Sequence, residues 1–152
     1  MQLTDNFYLS EFTKSQAALR HGIDNTPDAS AIDNLKALCE NVLQPIRDNF
    51  LLPVYISSGY RSPDLNAKIG GSSRSQHCVG QAADIEIFGI SNQELSDWIA
   101  ENCEYDQLIL EFHDGVDPNS GWVHVSYDDE TNRKHYKKAE RNDEGKVEYT
   151  FV

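Results

Sequence analysis

The segment SQHCVGQAADIEIF (residues 75–88) runs from a loop into a strand and determines the layout of the fold. Its second half alternates an apolar face with an acidic face, which is the period-two pattern of a half-buried β-strand. The apolar face is formed by Ala83, Ile85 and Ile87. Asp84 therefore points away from the core, and His77 lies in the loop that leads into the strand.

A second alternating segment, WVHVS (residues 122–126), carries His124 forty positions after Asp84. Its two valines share one face, which leaves Trp122, His124 and Ser126 on the other. Two imidazoles and one carboxylate leave a fourth tetrahedral position open for water, whereas structural zinc sites are usually closed by four protein ligands. His77, Asp84 and His124 therefore predict one catalytic Zn²⁺ ion and a hydrolytic reaction.

A third strand is predicted over residues 107–112, joined to residues 121–127 through a turn-rich loop as a wide antiparallel hairpin. Alternation groups Phe112 with Leu108 and Leu110, opposite Glu111. If the register aligns the Glu111 face with the His124 face, a carboxylate lies beside the metal. A slip of one residue would remove it.

Helical spacing predicts a long helix from about Ser30 to Phe50, which Pro45 should kink or shorten. Ser91 begins a capping-box pattern for a second helix that extends towards Cys103. Short helices are expected after Leu9, with Ser10 as N-cap, and over residues 64–69. Residues 53–58 are expected to form a strand and residues 146–152 an edge strand, and the basic residues 133–138 are expected as a solvated face.

The chain has 152 residues, with 25 acidic against 13 basic side chains and a net charge of −12 at pH 7. We expect a single domain over residues 1–152, with a core at about 7–133 and a polar extension at 128–152. The charge argues against binding nucleic acid, and no apolar run is long enough for membrane insertion. We expect a monomer without a signal peptide, made in the cytoplasm. Three cysteines without a C-x-x-C pair predict neither a disulfide framework nor a zinc knuckle, although Cys78 adjoins the metal motif and a Cys39–Cys103 bridge stays open.

Three separated motifs give the chain a family resemblance from Phe7 to about Arg133. The pattern S-x-H-x-x-G-x-A-x-D (75–84), the later WVH (122–124) and the upstream SGYRS (58–62) resemble the zinc D-alanyl-D-alanine carboxypeptidase family, which includes phage endolysin peptidases. The resemblance implies an α+β single domain of hedgehog/DD-peptidase type, with a small antiparallel sheet flanked by helices. It also implies cleavage of stem peptides in bacterial peptidoglycan, by an enzyme released to the cell wall with help or carried in a phage particle.

The resemblance assigns Arg61 to the substrate carbonyl or carboxylate, for which a guanidinium offers fixed donors. Tyr60 and Trp122 are candidates for lining the cleft, although packing is the more frequent role of such aromatics. Ser75 is a further candidate for substrate binding, with fixing the loop as its alternative role.

The general base is where the sequence departs from the family pattern. Members often carry Glu three positions before the second zinc histidine, and that position here is Gly121. Glu111 is the expected replacement, as base and then acid, with His113 in reserve. If neither reaches the metal, the alternative is a non-catalytic module that binds peptide or cell wall, for example as a phage particle component.

Overall fold

Two β-sheets and six α-helices make up the chain in the computed structural model, which describes residues 1–152. A two-stranded sheet holds β1 (Gln2–Thr4) and β2 (Phe7–Tyr8). The six strands of the main sheet are β3 (Tyr55–Ser58), β4 (Ala82–Glu86), β5 (Gln107–Glu111), β6 (Trp122–Ser126), β7 (His135–Arg141) and β8 (Val147–Phe151).

The main sheet has the strand order β3-β4-β6-β5-β7-β8. All neighbours are antiparallel except β5 and β7, which run parallel. The predicted β5–β6 hairpin is confirmed, and β8 is the expected edge strand. The basic segment expected as a solvated face instead contributes β7, whose Tyr136 packs against the core.

The helices are α1 (Ser10–Thr13), α2 (Gln16–His21), α3 (Ala29–Leu38), α4 (Gln44–Phe50), α5 (Pro63–Lys68) and α6 (Asn92–Asn102). A 3₁₀ turn covers Gln76–Val79. None of these helices combines the length and hydrophobicity that crossing a bilayer requires. With its two sheets flanked by helices, the chain forms the single α+β domain that was expected.

The long helix predicted over residues 30–50 is divided by a π-helical segment at Cys39–Leu43, which links α3 to α4. Pro45 lies in the first turn of α4. The wider π turn accommodates the missing N–H of proline, which is why the helix continues to Phe50. Ser91 caps α6 as predicted, its hydroxyl accepting the Glu94 N–H at 3.0 Å. Ser10 is the first residue of α1 rather than its cap, and Leu9 occupies the cap position without a side-chain hydrogen bond.

One face of the main sheet packs into the core, and the other carries the polar residues of the predicted site. On the core face, the side chains of Ile85, Leu108, Val123 and Val125 are fully buried. They join residues of α3, α4 and α6 in one apolar cluster. Since alternate residues point to opposite faces, this burial fixes which side chains lie on the polar face.

Candidate metal centre

Asp84 and His124 are direct neighbours across the β4–β6 pair. Residues paired in this way share a face, so both side chains lie on the polar side of the sheet. His124 Nδ1 lies 3.0 Å from Asp84 Oδ1, and both side chains are largely buried. The alternation read from the sequence thus corresponds to two potential ligands in one row of the sheet.

His77 reaches this row from the 3₁₀ turn that precedes β4. The Ser75 hydroxyl accepts the His77 N–H at 3.2 Å and caps the turn, which is the loop-fixing role considered for this serine. His77 Nδ1 lies 2.6 Å from the Gly59 carbonyl oxygen and donates to it, because a carbonyl can only accept. This bond fixes the tautomer in which Nε2 is unprotonated. Metal-binding histidines are commonly oriented in this way, by a hydrogen bond from the ring nitrogen that does not bind the metal.

The three side chains meet the requirements of a metal site. Their ligand atoms all lie within 4.8 Å of one another. His77 Nε2 is 3.5 Å from Asp84 Oδ1, and it is buried without a hydrogen-bond partner. Ligands bonded to zinc at about 2.0–2.1 Å in a tetrahedron are about 3.3 Å apart, close to the observed separations. An unpaired buried nitrogen is costly unless it binds something, and a cation would satisfy it.

Burial and mutual contacts set the protonation of this group. Burial lowers the pKa of His77, which favours the neutral, ligand-competent imidazole. For Asp84, burial acts to raise the pKa, but the contacts with His124 and His77 outweigh it and hold the pKa well below its usual range. The site therefore combines the neutral imidazole of His77 with an ionised carboxylate. Cys78 lies outside this group, and all three cysteines are free thiols.

Glu111 lies on the same face of the sheet as His124. The register pairs Glu111 with Trp122, two residues before His124, and pairs Ile109 with His124 itself. Burial raises the pKa of Glu111, while the nearby His124 and Arg61 act to lower it. The register therefore aligns the Glu111 face with the His124 face. It places a carboxylate with a raised pKa beside the candidate ligands.

Arg61 is tied to the same region through its backbone and its side chain. Its N–H donates to the His77 carbonyl at 3.1 Å, and its guanidinium donates to Asn66 at 3.2 Å. The Nε of Arg61 is buried without a hydrogen-bond partner. Tyr60 is only 8 % exposed and belongs to the core cluster, so packing accounts for most of its surface.

Phe112 departs from the predicted alternation. Its φ of +56° is unusual for a bulky residue, and it turns the ring away from the Leu110 face. The ring packs against Trp122 instead, with centroids 5.4 Å apart. Trp122 is half-buried beside the candidate site, and its buried indole N–H lies close to the Glu111 carboxylate, whose pKa it acts to lower. The polar face thus has an aromatic border next to Glu111.

Two further residues bear on the choice of general base. His113 lines a separate cavity with Leu110 and Lys138, and its Nδ1 lies 3.2 Å from the Ser120 hydroxyl. Gly121 has a φ of +67°, and a Cβ there would lie 1.8 Å from the Glu111 carbonyl oxygen. The backbone leaves no room for a side chain at the position where the family pattern has Glu. Glu111 is the carboxylate that the fold brings to the polar face at this hairpin.

The sequence did not predict the contacts of Asp106, which support the turn that carries His77. Asp106 is 4 % exposed and accepts two side-chain hydrogen bonds from Arg133, both at 2.8 Å. It also accepts a bond at 2.9 Å from Gln76, the neighbour of His77. These contacts join residues far apart in the sequence, and no local pattern marks them.

A model of the peptidase M15 family matches residues 5–126, which include all three candidate metal ligands, Arg61 and Glu111. No curated protein matches the chain.

Proposed function

The chain belongs to the peptidase M15 family, and on this basis we propose that it is a zinc-dependent peptidase that hydrolyses stem peptides of bacterial peptidoglycan. Peptidases of this family are zinc-dependent and act on peptidoglycan peptides. The observation that carries the proposal is the convergence of His77, Asp84 and His124, with an unprotonated, partnerless nitrogen among them. Two nitrogens and one carboxylate match the ligand chemistry of catalytic zinc.

In the proposed mechanism, His77, Asp84 and His124 hold the zinc. When bound, zinc supplies a Lewis acid that activates water and polarises the substrate carbonyl. Arg61 donates to the oxygen on which negative charge develops. Glu111 takes a proton from the attacking water and then gives it to the leaving amine nitrogen as the C–N bond breaks. Its raised pKa suits both halves of this transfer.

The remaining residues of the polar face bind and orient the substrate. Trp122 and Phe112 form an apolar border that limits access of bulk water to Glu111. Arg61 also lines a groove of about 870 Å³ that extends along β3 past Tyr55 and Ser57. This groove has room for a peptide that reaches Arg61. It suits either a terminal carboxylate bound by Arg61 or a chain that continues beyond it.

The test uses the purified full chain with one equivalent of zinc and a synthetic stem pentapeptide ending in D-Ala-D-Ala. Chromatography and mass spectrometry identify the products. Release of D-alanine alone indicates a carboxypeptidase, and internal fragments indicate an endopeptidase. Metal content is measured in parallel by mass spectrometry.

Glu111→Gln and Glu86→Gln form a matched pair for this assay. Both carboxylates belong to strands of the main sheet and have a pKa raised by burial, but Glu86 pairs with Tyr55 on β3, and strand β6 separates it from Glu111. We expect Glu111→Gln to keep its zinc and to lose about 10²- to 10⁴-fold in kcat, and Glu86→Gln to behave as the original chain. Peptide binding without zinc and without turnover would instead support the non-catalytic module.

A further inference from the structure

The β7–β8 hairpin extends the polar face of the main sheet beyond the region that the family match covers, which ends at residue 126. The register places Ala139 beside Glu111 and Tyr149 beside Ala139. These three residues therefore form one row that runs from the candidate base to the edge of the sheet. The charge of Glu111 raises the pKa of Tyr149 further, in addition to burial, which is consistent with their proximity along this row.

The same face of the hairpin bears two large aromatic side chains that the fold leaves uncovered. Tyr149 is 56 % exposed and Phe151 is 68 % exposed. They stand two residues apart on β8, so both point to the same side as Glu111. Adjacent exposed aromatics on a flat sheet face are typical of surfaces that bind a partner.

The hairpin strands carry carboxylates on only one of their two faces. Lys137 pairs with Phe151 and Arg141 pairs with Val147, so both cations lie on the aromatic face. Glu140 and Glu148 pair with each other. Each is adjacent in sequence to a residue of the aromatic face, so both lie on the opposite face. In a chain with 25 acidic and 13 basic residues, a face with two cations and no carboxylate of its own stands out.

The two cations are held in place without a carboxylate partner. Lys137 Nζ lies 5.2 Å from the centre of the Phe151 ring. The Arg141 guanidinium lies 5.2 Å from the Phe112 ring, which in turn packs on Trp122. No ion pair of the structure includes either residue. Their charge is thus available to an anionic ligand lying across the aromatic rings.

We propose that this cationic–aromatic face, formed by Lys137, Arg141, Tyr149 and Phe151, binds the carboxylate-bearing part of an extended peptide substrate. The inference rests on the proposed peptidase function, since it assigns the hairpin to the substrate of that site. The peptide crosses from Glu111 over Ala139 to the sheet edge, with its backbone against Tyr149 and its free carboxylates on the two cations. Two observations favour such a peptide: its carboxylates complement the charge of the two cations, and the face is continuous with Glu111.

The test measures binding and turnover separately in the zinc-loaded full chain. A fluorescein-labelled pentapeptide with two free side-chain carboxylates is compared with the same peptide in which both are amidated. Binding is followed by stopped-flow anisotropy, and mass spectrometry verifies that the peptide is still intact. KM and kcat are then determined on the unlabelled peptides.

The variant Lys137→Gln/Arg141→Gln removes both cations, and Lys138→Gln is the control on the same strand but the opposite face. We expect the double variant to bind the acidic peptide about 3- to 10-fold more weakly, as loss of two exposed ion pairs predicts, and to raise KM for that peptide by a similar factor. Binding of the amidated peptide should not change. Tyr149→Ala should weaken binding of both peptides, because it removes contact area rather than charge.

The outcomes separate this inference from the proposed function. Turnover by the original chain with equal affinities in the double variant and the control overturns the inference alone. Binding that depends on the carboxylates and the two cations, without any turnover, overturns the peptidase function and retains the binding face. A dimer in light scattering that Phe151→Ala dissociates, with peptide binding unaffected, would assign the face to a second copy of the chain and refute the inference.

Discussion

Replacing Gly121 by alanine tests how tightly the end of the β5–β6 hairpin is packed against Glu111. The added Cβ would lie 1.8 Å from the Glu111 carbonyl oxygen, so the two backbones must separate by about 1.6 Å to reach an ordinary contact of 3.4 Å. Overpacking of this kind costs about 1–3 kcal/mol. The positive φ of Gly121 adds about 1–2 kcal/mol for any residue with a side chain. We therefore expect a total loss of about 2–5 kcal/mol in the free energy of unfolding.

Gly115→Ala is the matched control, because it isolates the backbone term. Gly115 has a φ of +76°, but a Cβ there meets nothing within 4 Å. Its loss should be about 1–2 kcal/mol. Both losses are measured by urea denaturation followed by tryptophan fluorescence in the same metal-buffered solution. Equal losses in the two variants would refute the close packing at Gly121.

The same substitution has a consequence for catalysis. The carbonyl that must move belongs to Glu111, so its carboxylate moves with it. A misplacement of about 1 Å can cost 10²-fold in rate, and we expect a fall of that order in kcat for Gly121→Ala but not for Gly115→Ala. Restoring the family acid in the double variant Glu111→Gln/Gly121→Glu should not restore turnover. Activity in that variant would show that a side chain at position 121 reaches the reacting atoms.

Three further predictions follow from particular contacts. The hydrogen bonds with Arg133 hold the pKa of Asp106 at about 2, below its ordinary value of 3.8. The stability that the Asp106 carboxylate contributes is therefore complete above pH 3.8 and is lost as the pH falls towards 2. The difference in unfolding free energy between the original chain and Asp106→Asn should therefore be constant near neutral pH and shrink in acid denaturation series below about pH 4. Because burial raises the pKa of Glu111 above 4.5, kcat should fall on the acid side at a pH above that value, and rate profiles of Glu111→Gln should lack this limb. Cys78→Ser should bind as much zinc as the original chain in metal analysis, whereas His77→Ala should bind none.

Local patterns were sufficient to predict the parts of the site that lie within single strands. Alternation put Asp84 and His124 on polar faces, and the structure pairs them across β4 and β6. Such predictions succeed because one buried face fixes the orientation of every residue in a strand. The Ser91 cap succeeded for a similar reason, since its hydroxyl and the Glu94 N–H are three residues apart.

Features that depend on distant contacts were not predictable in this way. The charge of residues 133–138 predicts a solvated face, yet residues 135–138 belong to β7, and its parallel pairing with β5 makes it part of the sheet. Alternation predicts Phe112 on the same face as Leu110. Its positive φ ends the alternation where the hairpin closes on Gly121. The Gly59 carbonyl that orients His77 lies eighteen residues away in the sequence, and nothing local marks it.

The candidate metal centre depends on both the strand pattern and distant contacts, so its three ligands should differ in their sensitivity to mutation. Asp84 and His124 are fixed by the register of the sheet, which fully buried residues on the opposite face enforce. His77 is fixed only by a short turn, the Ser75 cap and one hydrogen bond to Gly59. Since a few local bonds are easier to lose than a packed sheet, substitutions around the 3₁₀ turn should weaken metal binding at small cost in stability. Changes on the core face of β4 or β6 should instead reduce stability and metal binding together.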